Sequence, residues 1–116
     1  MPYVNIRLSQ KMTPEQKKLL AGRMISLVAA IPGKESVNVF CDIEDGGVHF
    51  FRGEKQEMSA YVDVRFNGEC DFKYKQNFTK KVYEMFENEW GIEKEFMYLT
   101  ILEYPDWGAR GILKKL

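Results

Sequence analysis

Histidine occurs once, cysteine twice and proline four times in these 116 residues, and neither sign of charge is in excess. Each shortage removes a class of function. With His49 as the only histidine, a multi-histidine metal site or a Ser-His-Asp arrangement cannot be built within one chain; the expected place for His49 is a solvated turn. Cys41 and Cys70 are too few for a disulfide framework and fit a reducing compartment, and no Cys-x-x-Cys is present to support thiol–disulfide chemistry. Lysine plus arginine total 17 and aspartate plus glutamate total 17. The basic excess that phosphate backbones require is therefore missing, which argues against nucleic acid. No apolar run approaches the roughly 20 residues that span a bilayer. The opening "MPYVNIRLSQKM" has no basic segment followed by an apolar core, so neither a membrane partner nor a signal peptide is expected. The expected location is cytoplasmic, with release by a route that uses no signal peptide left open. Gly46-Gly47 and Gly53 fit no dinucleotide or phosphate-loop pattern. No cofactor and no metal are expected. Glu84, Glu87 and Glu89 read as a solvated helix face.

What remains is an ordinary globular composition, 45% hydrophobic and 29% charged, sized for one domain over residues 1–116. That domain is written twice, over 1–58 and 59–116. "YVNIRL" alternates apolar and polar residues as a half-buried strand does, with Val4, Ile6 and Leu8 on one face. Fifty-eight residues after Tyr3 the chain reads "YVDVRF". Thr13 with Pro14 and Gln16 forms a helix-start signature with a capping box, and Leu20, Met24, Leu27, Val28 and Ile31 make its apolar stripe. Asp71 falls at the place of Thr13, and Phe78, Val82, Met85 and Phe86 make the second stripe. Pro32-Gly33 and Gly91 stop the two helices. "SVNVFCDI" and "FMYLTILEY" read as the second strand of each unit, and the pair Arg52-Gly53 recurs as Arg110-Gly111.

These are two tandem β-α-β units in an α/β (α+β) protein. Right-handed crossovers make the strands of each unit parallel. Joining the units gives a four-stranded mixed sheet with both helices on one face. The other face carries Tyr3, Asn5, Arg7, Tyr61, Asp63 and Arg65, open to water or to neighbours in an oligomer. The short segments near 48–52 and 107–114 are available to extend a neighbour's sheet.

The repeat breaks at one chemically interesting place: Pro2 precedes the first strand, and Ala60 precedes the second. Methionine before a small residue is normally removed, which would leave Pro2 as a free secondary amine. An amine held among apolar groups and cations has its pKa lowered and becomes a base near neutrality. With Met1 retained, Pro2 is an amide and no base.

The order "MPYVNIRLSQKMTPEQKKLLAGRM…SVNVFCDIEDGGVHFFRGE" resembles the single unit of 4-oxalocrotonate tautomerase. The doubled length resembles the macrophage migration inhibitory factor (MIF) group of the tautomerase superfamily. The resemblance extends over nearly the whole chain, through "PGK" to "PDWGARG". It implies a homotrimer with pockets between subunits and an isomerase that exchanges keto and enol forms of phenylpyruvate-like or related carboxylic acids. It implies Pro2 as the catalytic base and acid, and Lys34, Arg65, Asn67, Tyr98, Thr100 and Trp107 as substrate-binding residues, Tyr98 reaching the pocket from the adjacent subunit. Lys34 also reads as a helix C-terminal cation, Tyr98 as a core aromatic, and Trp107 as a structural one. Three positions depart from the group. Asn67 beside Gly68 replaces a usual isoleucine, Thr100 a usual asparagine, and Arg65 a common histidine. The pocket is thus more polar and cationic, which favours a substrate other than phenylpyruvate. Two other functions stay in view: a non-catalytic signalling or binding protein on the same fold, and a hydratase or dehalogenase of acrylates using Arg7, Arg52, Arg65 and Arg110.

Overall fold

The computed structural model describes residues 2–116; Met1, and with it the expectation of its removal, lies outside the described residues. The first half runs β1 (Tyr3–Leu8), α1 (Pro14–Ala29), β2 (Phe40–Glu44) and a hairpin of β3 (His49–Phe51) and β4 (Glu54–Gln56). The second half runs β5 (Ala60–Asn67), α2 (Phe72–Trp90), β6 (Met97–Tyr104) and a hairpin of β7 (Asp106–Ala109) and β8 (Ile112–Lys115). Each element of the first half has a counterpart about fifty-eight residues on.

The helix signals act as their chemistry requires. Thr13 Oγ1 accepts from the Gln16 N–H at 3.1 Å, and Gln16 Oε1 accepts from the Thr13 N–H at 2.9 Å, so two otherwise orphaned donors are satisfied reciprocally. Leu20, Met24 and Val28 are the buried line of α1. Asp71 occupies the equivalent position before α2 but makes no side-chain cap bond; the residue three further on is Tyr74, which has no side chain able to close the box. Gly91, at φ +70°, ends α2 in the left-handed conformation that glycine adopts without steric cost. Phe78, Val82, Met85 and Phe86 are buried as the stripe predicts.

The strand order is β2-β1-β5-β6. β1 runs parallel to β2, β5 parallel to β6, and β1 antiparallel to β5 with Tyr3 opposite Arg65 and Leu8 opposite Ala60. This is the expected mixed sheet. Val4, Ile6, Leu8, Val62, Val64 and Phe66 are fully or almost fully buried beneath the helices. No helix among the described residues is long and apolar enough to cross a membrane.

The structure alters three local expectations. The second strand starts at Phe40, not Ser36; residues 36–38 form a 3₁₀ turn, and residues 94–96 do the same ahead of β6. The β1 ladder begins at Tyr3 opposite Phe40, and Pro2 before it has no N–H to extend the pairing. Asn5 lies on the face expected to be wet, yet is only 3% exposed. Its Nδ2 donates to Asp42 Oδ2 and Glu44 Oε2 at 3.2 and 3.0 Å, drawing the β2 carboxylates over it. His49 is half-buried in β3 with Nδ1 2.7 Å from Ser59 Oγ, so it is not a solvated turn residue. The segments near 48–52 and 107–114 pair within the chain as hairpins. Both turn on an Arg-Gly pair with positive φ at each residue, 58° and 81° in the first and 54° and 79° in the second. Two-residue hairpin loops of type I′ require this geometry, because it matches the twist of the flanking strands.

Candidate active site

Pro2 is buried at the entrance to β1, where its carbonyl accepts from the Phe40 N–H at 2.9 Å. It lines a cavity of about 320 Å³ with Tyr3, Asn38, Phe40, Arg110 and the β7 residues Trp107 to Ala109. The repeat explains how these groups meet. β2 runs beside β1, and the β7–β8 hairpin of the second unit folds back to the start of the first. Trp107 stands between this cavity and a neighbouring cleft of about 360 Å³ that holds Tyr3, Arg65, Tyr104 and Asp106. Its ring centroid lies 6.0 Å from that of Tyr104. Arg65 is exposed in that cleft, with its guanidinium 5.3 Å from the Tyr3 ring centroid and Nη2 3.1 Å from Asp63 Oδ2. The Asp63 carboxylate holds the guanidinium pKa above its ordinary value.

Lys34 and Asn67 meet each other beside Phe66. Lys34 Nζ lies 3.5 Å from the Asn67 carbonyl oxygen and 4.6 Å from the Phe66 ring centroid. Burial pushes the Lys34 ammonium pKa down, opposed by Cys70 and Glu103. The Asn67 Oδ1 is buried without a hydrogen-bond partner. In the β1–β5 register, the step beyond Tyr3–Arg65 sets Phe66 across from Pro2. Lys34 is thus close to the Pro2 strand end, but it does not line the Pro2 cavity.

Tyr98 and Thr100 lie elsewhere. Tyr98 is level with Tyr61, and Tyr61 with Arg7. That is five residues along β1 from Pro2, roughly 17 Å at the strand rise. The Tyr98 ring packs 5.0 Å from Phe51, and Thr100 Oγ1 lies 3.1 Å from the Tyr61 hydroxyl. One chain therefore gathers Pro2 and Trp107 in one cavity, sets Lys34, Asn67 and Arg65 around it, leaves Tyr98 near the opposite end of the sheet, and places Thr100 in mid-sheet, level with Asp63 and Asn5. Asn38 and Phe40 escaped the sequence reading. The equal spacing of Tyr98 and Phe40 in the repeat was the available signal.

The loop that follows Asn67 is held from β6. Glu103 Oε2 accepts from the Cys70 N–H and Oε1 from Lys75 Nζ, both at 2.8 Å. Burial pushes the Glu103 carboxyl up, but these two bonds outweigh it and hold the group below the ordinary glutamate range. A carboxyl depressed in the folded state stabilises above its unfolded pKa of about 4.3, and that contribution is lost as pH falls through the folded value. Glu103→Gln should therefore make the urea midpoint fall less steeply on acidification between about pH 6 and 3 than it does in the parent protein. Parallel curves for the two proteins would refute this account of Glu103.

No protein-family model matches the sequence, and no curated protein matches it. Solved structures do. MIF2 of Leishmania major superposes with a TM-score of 0.88 at 21% identity, over 98% of this chain and 97% of that one. The MIF homologue of Prochlorococcus marinus does so with a TM-score of 0.81 at 25% identity, over 96% and 97%. Pt0534 reaches a TM-score of 0.83 at 18% identity, over 94% and 93%. The chain has the fold of the tautomerase superfamily. Within it, the doubled form is that of macrophage migration inhibitory factor and its relatives.

Proposed function

We propose that the chain is a keto–enol tautomerase of 2-oxo carboxylic acids, with Pro2 as base and acid once Met1 is removed. The observation that carries this reading is the burial of Pro2 in a cavity walled by aromatic rings and one cation, Arg110. In the forward step the Pro2 nitrogen takes a proton from the carbon next to the ketone. The C–H electrons form the carbon–carbon double bond, and the carbonyl pair moves onto oxygen. A cation stabilises that charge, and the proton on Pro2 then passes to the oxygen to give the enol. Pt0534, which shares the fold, was crystallised as inactivated by 2-oxo-3-pentynoate, a compound of the same 2-oxo class.

The working unit in this proposal is a homotrimer. The support is the separation of Tyr98 and Thr100 from Pro2 within one chain, together with the apolar side chains on the sheet. Tyr98 is 59% and Leu102 55% exposed, and an open face of this kind is covered when copies pack sheet to sheet. The test is to confirm loss of Met1 by mass spectrometry, trimer mass by light scattering, and then to follow enol–keto exchange of phenylpyruvate by ultraviolet absorbance. Processed, trimeric protein is expected to turn over. Processed trimer without exchange of any 2-oxo acid would overturn the assignment.

A further inference from the structure

The fifty-eight-residue offset that relates the two halves also relates two cavities. Pro2, Tyr3, Asn38, Phe40, Trp107 and Ala109 line the first. Their counterparts Ala60, Tyr61, Phe96, Tyr98, His49 and Phe51 line the second, a cavity of about 410 Å³ at the other end of the sheet. The turn arginines of the two hairpins are counterparts as well, but they behave differently. Arg52 is tied down. Its guanidinium lies 5.9 Å from the Phe51 ring centroid and 5.7 Å from that of Phe96, and Nε donates to the Glu95 carbonyl at 3.2 Å. It does not line its cavity. Arg110 does line its own cavity. The residues that would have stacked on it are Asn38 and Ala109 in place of Phe96 and Phe51. It makes no ion pair or side-chain hydrogen bond among the described residues.

The backbone sharpens the contrast. Both arginines sit at positive φ, where asparagine or glycine is less strained. At Arg52 the stacking and the hydrogen bond offset that cost. At Arg110 nothing within the chain does, and strain kept without compensation points to a use for the side chain. Arg65, the next arginine, is already paired with Asp63, and Lys34 is engaged by the Asn67 carbonyl and the Phe66 ring.

We propose that Arg110, rather than Lys34, binds the carboxylate of the substrate at the Pro2 cavity. The guanidinium offers two parallel N–H donors to a carboxylate, a match a lysine cannot make. The choice of a carboxylate rests on the tautomerase reading; the assignment of the anion site to Arg110 rests on the two cavities.

Arg110→Asn is the decisive variant, since asparagine suits the type I′ turn. Its thermal midpoint should equal or exceed that of the parent, so weaker binding cannot be blamed on misfolding. For phenylpyruvate, KM should rise about 10-fold to 100-fold, as expected for a lost hydrogen bond to a charged group. The ratio of kcat/KM for the acid to that for its methyl ester, which lacks the charge, should fall by about 10-fold or more. Arg110→Lys should recover part of the loss. An unchanged acid-to-ester ratio in Arg110→Asn would overturn the proposal. If the protein turns over neither compound, calorimetric titration with phenylpyruvate reads the same site directly. Binding about 10-fold weaker in Arg110→Asn sustains the anion site although the tautomerase reading has failed, and equal binding overturns it.

Discussion

Pro2→Ala is expected to lower the rate of enol–keto exchange of phenylpyruvate by about 10² to 10⁴, the range that a positioned general base supplies. The variant should keep its oligomeric mass and its thermal midpoint. The side chain removed is a small ring at a strand entrance, and the backbone bond from the Phe40 N–H to the residue-2 carbonyl at 2.9 Å does not depend on it. Alanine also leaves an amine in the same cavity after methionine removal. The experiment therefore asks about the secondary amine and its fixed orientation rather than about charge in general. The loss should appear in kcat rather than KM, because the proton is transferred only on the way to the transition state. Turnover equal to that of the parent would remove Pro2 from the mechanism.

Phe66→Ala is the substitution with the largest expected effect on stability, about 3–5 kcal/mol. Phe66 is fully buried, and its ring meets Phe78 at 6.2 Å with a 62° interplanar angle, an edge-on packing of two large side chains between sheet and helix. The same ring lies 4.6 Å from the Lys34 ammonium. Truncation thus opens a cavity in the core and removes the surface on which a half-buried cation rests. Urea unfolding should show a lower midpoint with a similar slope, and Phe66→Leu, which keeps most of the apolar volume, should lose much less. A loss below about 1 kcal/mol for the alanine variant would mean that this part of the core collapses to fill the gap.

Much of this fold is legible because each unit's information is local. The alternation in "YVNIRL" and "YVDVRF", the three-and-four spacing of Leu20, Met24, Leu27, Val28 and Ile31, and the box closed by Thr13 and Gln16 are all properties of neighbouring residues. They correctly give two β-α-β units, a four-stranded mixed sheet and helices on one face. The burial of Asn5 is not local. It depends on carboxylates brought alongside by β2, thirty-seven and thirty-nine residues away. The capping box does not recur at α2: Asp71 makes no side-chain cap bond, and Tyr74 stands where a glutamine would return one. At the candidate site, composition and periodicity could single out Pro2 only as the break in the repeat, and the roles of Lys34, Asn67, Tyr98 and Thr100 came from the resemblance alone. The meeting of Pro2 with Trp107 and Arg110 needs the return of the second hairpin to the first strand, across more than a hundred residues of chain. Local pattern cannot register such a contact. The repeated Arg-Gly pair was visible in the sequence, but the difference between its copies depends on whether Phe96 or Asn38 stands nearby.

The antiparallel seam between β1 and β5 gives the chain an approximate twofold axis, and that axis exchanges the two cavities. Under the proposed chemistry the exchange cannot be complete. Position 60 follows Ser59 within β5's entry, so its nitrogen is committed to an amide whatever side chain it carries. Chain connectivity itself silences the second cavity, before any difference in lining residues is counted. Fusing two units therefore halves the number of reactive amines per fold and frees the other pocket from catalytic constraint. The stacking of Arg52 on Phe51 and Phe96 beside it is what a pocket released from that duty can become: part of the scaffold.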